Sequence, residues 1–324
     1  MPQFCRHNRL LQNCPICREP EPPPAARRAP RSRGARSGRS SAASAAATVT
    51  IRRAPRAVED GYQSELVPGI HARADAHRLA DELAFASGRL AELATAPPGL
   101  YAEVASEPDV EEALWLAFLI AYLSPLEPSA AEPSGTDPFA AIRAVRTRWR
   151  DAELPGLDGV ATGPRTAHDP ARGAATLIAY RRFAERAGSQ ARALAGEEQW
   201  APDRRFARAF ERLALPGLHR AARFDFLVTA GRTGRLDARP SSLFLRGAAG
   251  DDPTGLAARR VLGIADPALL DRRAAMVAEA AGVPIEAVEL ALWNWQADDA
   301  ARATLGASPT AAAPSEPIAS ALGL

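Results

Sequence analysis

Apolar positions recur every three or four residues over long stretches of this chain, and alternation with period two is nearly absent. Between His71 and Ala94, Leu79, Leu83, Ala86, Leu90 and Leu93 form one stripe, which predicts an amphipathic helix. The segment EEALWLAFLIAYLSPLEP opens with acids suited to a helix N-terminus and is apolar on every side from Ala113. It predicts a central buried helix that ends before Pro125, with Trp115, Phe118 and Tyr122 in the core. Ser124 and Glu127 sit where the chain leaves that core and could face a cleft. Further on, Asp137-Pro138, Asp169-Pro170, Asp252-Pro253 and Asp266-Pro267 each place a capping carboxylate before an N1 proline. The helices they predict carry apolar faces: Phe139, Ile142, Val145 and Trp149; Leu177, Ile178 and Phe183; Leu256 and Val261; Leu269, Leu270, Met276 and Val277. A last helix after Pro284 aligns Val288, Leu292 and Trp295. The expected fold class is all-α over residues 67–298, with an Ala/Pro/Ser tail from 299 to 324 expected to be disordered.

One stretch between these helices carries most of the candidate chemistry: DRRFARAFERLALPGLHRAARFDFLVTAGRTGRLDARPSSLFL, from Asp203 to Leu245. It reads as a helix capped by Asp203, a tight Leu215-Pro216-Gly217 turn, a second helix stopped by Gly231, a glycine-bearing loop and an isolated Asp237. Two helices joined by a short glycine hairpin leave unpaired N–H groups at the start of the second. Those groups can seat a phosphate. The plainer reading is a structural helix-turn-helix inside a bundle.

The first eighteen residues form a separate small segment. MPQFCRHNRLLQNCPICRE places Cys5, His7, Cys14 and Cys17 as C-x-H-x6-C-x2-C, and these are the only cysteines of the chain. Two thiolates on a C-x2-C knuckle and a C-x-H pair can occupy the four corners of a tetrahedral structural zinc site. Three cysteines without a signal peptide do not suit a disulfide framework. The alternative is a frayed terminus with unpaired thiols. Residues 19–60 are rich in Pro, Ala, Ser and Arg and are expected to be a disordered linker. Arg27, Arg28, Arg31, Arg33, Arg36 and Arg39 give it a basic character that attracts nucleic acid without sequence preference, unless it reflects composition alone.

Composition changes the picture at one point. The chain has 324 residues, 47% of them hydrophobic, and a formal charge of +2. All 40 basic residues are arginine, so neither a lysine Schiff base nor a P-loop lysine exists here. The longest apolar run, Ala113 to Leu123, is too short to span a bilayer, and no secretory signal is visible. A cytoplasmic protein without membrane partners is expected.

The order of elements resembles the helix-hairpin-helix DNA glycosylase superfamily. FLIAYLSPLE is similar to that family's early buried helix with its polar Leu-Ser end. Leu215, Pro216 and Gly217 match its hairpin, and Asp237 lies close to the place of its catalytic Asp. The family continues its hairpin as LPGVGxxTA, whereas this chain has LPGLHRAA, with His219 where a second glycine is found. Asp237 is a residue or two short of the usual spacing and is followed by Ala-Arg-Pro rather than a Thr-His pair. A divergent branch fits better: the α-glutamyl/putrescinyl thymine pyrophosphorylases, some of which carry an N-terminal CRHNR…CPIC segment. The resemblance implies thymine hypermodification in DNA, with an amine displacing pyrophosphate from a pyrophosphorylated hydroxymethyl-uracil base.

That chemistry assigns expected roles. Departing pyrophosphate concentrates negative charge, which arginines or a magnesium ion must stabilise. Arg220, Arg223, Arg232 and Arg235 cluster about the hairpin and its loop and are the candidate DNA or phosphate contacts, together with Leu215 and Gly217. Asp237, His219 and Asp225 are the candidate catalytic groups. Each has a plainer reading: an N-cap for Asp237, a helix-start cap or phosphate contact for His219, and a solvated helix face for Asp225. The competing functions are a non-catalytic nucleic-acid-binding protein of the same fold and a zinc-knuckle interaction module on a helical bundle.

Overall fold

A computed structural model of the chain describes residues 55–127, 137–151, 153–246, 248–297, 302–307 and 312–324. The chain divides into two units, 1–45 and 46–324, and every described residue belongs to the second. Cys5, His7, Cys14, Cys17 and nearly all of the Arg-rich linker lie outside the described residues. Those that are described form α-helices and connecting turns, with no strand among them. None of their helices is long and apolar enough to cross a membrane.

Helices α1 (Arg73–Thr95), α2 (Leu100–Ser106) and α3 (Val110–Leu123) open the fold. The all-round apolar pattern of α3 is explained by its position: every residue from Ala113 to Leu123 is buried. Asp109 caps it by accepting from the Glu111 amide at 2.9 Å. The acids of its first turn also work outward. Glu111 accepts from the amides of Gln190 and Ala191 at 2.7 and 2.9 Å, and Glu112 accepts from that of Trp149 at 2.9 Å. Trp115, Phe118 and Tyr122 stack along one side of α3, and the Tyr180 ring lies 3.8 Å from that of Phe118.

Then follow α4 (Ala140–Val145), a 3-10 turn at Trp149–Asp151, α5 (Ala175–Ala187) and α6 (Gln190–Ala195). Helices α7 (Pro202–Arg212) and α8 (Arg220–Arg232) flank the LPG turn. Next come α9 (Pro253–Leu262), α10 (Pro267–Ala281), α11 (Ile285–Gln296) and α12 (Glu316–Ala321). Helix α3 packs on α8, and α11 packs on α1, α9 and α10. Helix α11 is buried along its whole length, including Glu286, Glu289 and Asn294, which the single apolar face read from sequence did not anticipate.

Several local expectations are corrected. Asp203 lies in the first turn of α7 rather than at its cap, because Pro202 occupies the N1 position. Asp169 accepts from the Ala171 amide at 2.9 Å and closes a turn, and α5 starts only at Ala175. Gly231 falls inside α8, which ends one residue later, with Thr233 as its cap. The described residues of the stretch expected as a disordered tail, 302–307 and 312–324, also pack. Ile318 and Leu322 are buried, the Tyr62 hydroxyl donates to the Leu322 carbonyl, and Arg302 pairs with Glu82 at 2.7 Å. Small alanines let this segment approach α1 closely: the Ala313 amide donates to the Ala84 carbonyl at 3.2 Å.

Candidate functional site

The LPG turn forms for a definite reason. Pro216 and Gly217 are the two central residues of a turn closed by the Leu218 amide donating to the Leu215 carbonyl at 3.0 Å. Proline presets the first position and glycine supplies the positive φ of the second, here +81°. A Cβ on Gly217 would lie 2.2 Å from Oγ1 of Thr176, so glycine is required sterically as well. That threonine hydroxyl donates to the Pro216 carbonyl at 3.0 Å and pins the turn to α5. His219 follows as the N-cap of α8, with φ −63° and ψ 161°. This is an extended backbone open to any residue, so the hairpin closes without a second glycine. The His219 ring is exposed and does not cap α8. The first residues of that helix, Arg220, Ala221 and Ala222, are buried.

The four arginines expected around the hairpin are engaged inside the protein. Arg220 is buried and donates to Asp252, the Leu243 carbonyl and Glu289 at 2.9, 3.1 and 2.6 Å. Arg223 stacks over Phe210 at 4.4 Å and donates to the Phe210 carbonyl at 3.2 Å. Burial, reinforced by neighbouring Arg220, holds its pKa below the usual arginine value. Arg232 pairs with Glu286 at 2.6 Å, and Arg235 donates to the Glu107 carbonyl at 3.0 Å. Residues 220 and 223 fall on the inner side of α8, where a guanidinium with five donors can bridge several acceptors at once. The exposed cations near the turn are others: Arg172, ahead of α5, and Arg182 and Arg186, one turn apart on α5. Arg182 and Arg186 line an open groove with Ala179, Glu185, Leu215 and Pro216. Arg172 also reaches the turn, its Nη1 3.5 Å from where a Cβ of Gly217 would be. The signal for this face was the i,i+4 pair in RRFAER, outside the hairpin motif itself.

The candidate catalytic residues are not brought together. Among the described residues, no hydrogen bond or ion pair joins Asp237, His219 and Asp225. The Asp237 side chain is 66% exposed and pairs with Arg205 of α7. It opens no helix: the chain runs on without one to Pro253, burying Leu243 and Leu245 on the way. The helix that follows is capped by Asp252, which accepts from the Gly255 amide at 2.8 Å. A cleft of about 70 Å³ lies beside this loop, lined by Val228, Arg232, Ala238, Pro240 and Glu286, with Asp237 outside it. Asp225 is enclosed instead of solvated. It accepts two bonds from Arg165, at 2.8 and 2.9 Å. Burial raises its pKa despite the Arg165 charge.

Arg165 is the residue that sequence reading missed, and it organises the polar interior. Its Nη2 also donates to Glu289 at 2.7 Å, and its guanidinium lies 4.6 Å over the Trp293 ring. Glu289 receives Arg220 and Thr254 on its other oxygen, at 2.6 and 2.9 Å. Burial disfavours both charges, yet each outweighs it for the other. Arg165 is held above the usual arginine value, and Glu289, between Arg165 and Arg220, below the usual carboxylate range. The segment carrying Arg165 lies along the end of α3. The Gly163 amide donates to the Leu123 carbonyl and the Ala167 amide to that of Tyr122, at 3.1 and 2.9 Å. A Cβ on Gly163 would fall 1.9 Å from the Pro125 carbonyl oxygen, so only glycine permits this approach. At the same point Ser124 takes φ 60° and ψ 137°, a backbone conformation that costs about 1–3 kcal/mol.

Among the described residues, no group of three His, Cys, Asp or Glu side chains is placed to hold a metal ion. Compared with family models, curated proteins and solved structures, the chain gives no match.

Proposed function

We propose that this chain grips the phosphate backbone of DNA with the face around the LPG turn and α5, and acts there on a pyrimidine base. The observation that carries the reading is the set of exposed guanidinium groups beside the turn, with Arg182 and Arg186 in one groove with Leu215 and Pro216 and Arg172 next to Gly217. Arg172, Arg182 and Arg186 are exposed and offer cations to a phosphate backbone. Phosphate contacts of this kind fix register on a duplex and carry no sequence information. The thymine-hypermodification activity is the role that the sequence resemblance implies, and within it the arginine face holds the nucleic acid.

A second reading, a non-catalytic binding protein of the same fold, is favoured by one observation: Asp237 points outward and pairs with Arg205. Two measurements separate the possibilities. Fluorescence anisotropy with a short DNA duplex at low salt is expected to show binding, and its absence would remove both readings. Mass spectrometry of nucleosides from DNA of cells with and without the protein is expected to show a modified pyrimidine that depends on it. An unchanged profile, with binding intact, would leave the non-catalytic reading.

A further inference from the structure

A chain of side chains leads from the LPG turn to a titratable group behind it. His168 lies in the segment laid along the end of α3. The Tyr122 carbonyl accepts from the Ala167 amide at 2.9 Å and from the Thr166 hydroxyl at 3.0 Å, and Thr166 Oγ1 accepts from the His168 amide at 3.0 Å. These bonds set the partly buried His168 ring edge-on to Tyr122, with Nδ1 3.3 Å from the phenol oxygen. Burial raises the Tyr122 pKa, and the hydroxyl of Thr176 beside it opposes the shift. Thr176 in turn donates to the Pro216 carbonyl at 3.0 Å, and its Oγ1 is the atom for which Gly217 leaves room. An imidazole, a phenol and an alcohol therefore stand in series, ending on the backbone of the turn. Both hydroxyls can donate and accept, so the histidine end decides which way the bonds run.

We infer that His168 is a positioning residue for the LPG turn: on taking up a proton it reverses the chain through Tyr122 and Thr176, tightens the bond to the Pro216 carbonyl and firms the grip of the turn on a phosphate backbone. A neutral ring whose single proton is directed at the Leu157 carbonyl leaves Nδ1 bare. Tyr122 then donates to Nδ1, and the Thr176 oxygen receives nothing from it. With a proton on Nδ1 the ring donates to the phenol oxygen, the phenol proton turns to Thr176 Oγ1, and all bonds run towards Pro216. Bonds aligned in one sense polarise one another, so the last of them gains. The groups facing the ring set the balance. Burial lowers the His168 pKa, while Asp169, the Leu157 carbonyl and Asp158 raise it, and burial prevails. The aligned state is therefore the minority at neutral pH and fills as the medium turns acidic. Arg172 pairs with Asp169 at 3.3 Å and adds its charge beside Tyr122. Only the final step, the grip on phosphate, rests on the proposed DNA contact.

Two readouts on the full-length protein test it. In protein labelled with 15N-glycine, the Gly217 amide resonance is followed from pH 7.5 to pH 5. The wild type is expected to show a step with a midpoint below 6.5, absent from His168→Gln and from Tyr122→Phe. The second variant keeps the histidine and its charge and removes only the phenol that carries the chain. His219 is retained in both, so its own titration cancels in the comparison, and melting temperatures establish that both are folded. Fluorescence anisotropy with a short duplex then compares pH 7.5 with pH 5.5. Acidification is expected to tighten wild-type binding about two- to fivefold more than it tightens binding by Tyr122→Phe, the worth of part of one hydrogen bond. A Gly217 amide that does not titrate, or that titrates equally in folded Tyr122→Phe, overturns the inference whether or not DNA binds. A titrating amide with equal gains in affinity for the two proteins overturns the final step alone. Absence of duplex binding at both pH values removes that step together with the phosphate-binding reading, and the amide titration still decides the coupling of His168 to the turn.

Discussion

Two sets of arginines lie within a few helical turns of the LPG hairpin and do opposite things. Arg165 and Arg220 are buried, hold their charges through Asp225, Glu289 and Asp252, and connect α8 to α11 and to the start of α9. Arg172, Arg182 and Arg186 are exposed around the turn, with at most surface carboxylates for company. The residue type is the same, so what differs is the supply of fixed acceptors. Where buried carboxylates and carbonyls converge, the planar fork becomes a strut. Where none do, it remains available to a phosphate. In a chain without lysine one side chain must serve both purposes, and a cluster of arginines in the sequence cannot say which.

The largest effect is expected at Glu289. Glu289→Ala removes the shared partner of Arg165 and Arg220 and is expected to cost about 3–5 kcal/mol of stability, since it leaves buried charges uncompensated. Urea denaturation measures it; a loss below 1 kcal/mol would mean that the network is not holding the fold. Gly217→Ala is expected to cost at least about 1–2 kcal/mol for the positive φ alone, with a further loss from the contact with Thr176. The same denaturation series reads it, and restoration by the pair Gly217→Ala with Thr176→Ala, which removes the clashing hydroxyl, is expected to be only partial, since the backbone term remains and the bond to the Pro216 carbonyl is lost.

A smaller effect concerns pH. His168 lies against the Tyr122 hydroxyl, and burial lowers its pKa below 6.5, with Asp169 opposing the shift. A depressed histidine leaves the unfolded chain holding more protons near that pH. Its contribution is therefore complete above the unfolded value and is lost as pH falls through the folded one. His168→Gln is expected to flatten the stability profile below pH 6.5, and an unchanged slope would show that another group sets it. Least of all, Asp237→Asn is expected to change stability by no more than about 1 kcal/mol, because its pair with Arg205 lies at the surface. A loss of several kcal/mol would contradict that placement.

How much of this was legible in the sequence depends on whether the signal is local. The helix pattern, the burial of α3, the LPG turn and the caps at Asp252 and Asp266 follow from neighbouring residues, and they appear as expected. The role of Arg165 does not. It joins positions 60 and 124 residues away, and nothing in GPRTAHDP marks it as a core residue. Glu289 was hidden similarly, because a carboxylate within an apolar helix reads as its solvent face until the arginines that reach it are known. Asp237 misled for the converse reason. Its spacing from the hairpin resembles a reactive position, but the loop between Gly234 and Pro240 turns it towards Arg205.

On the proposed function, the exposed arginines and not the buried ones meet the nucleic acid. The most direct test is the dependence of duplex affinity on salt for the wild type and for Arg182→Ala/Arg186→Ala. If both side chains contact phosphates, the slope of log K against log salt falls in magnitude by about 0.9 for each, or roughly 1.8 in all, while the melting temperature stays unchanged. An unaltered slope in the folded double variant would contradict the claim and move any nucleic-acid contact away from the α5 face.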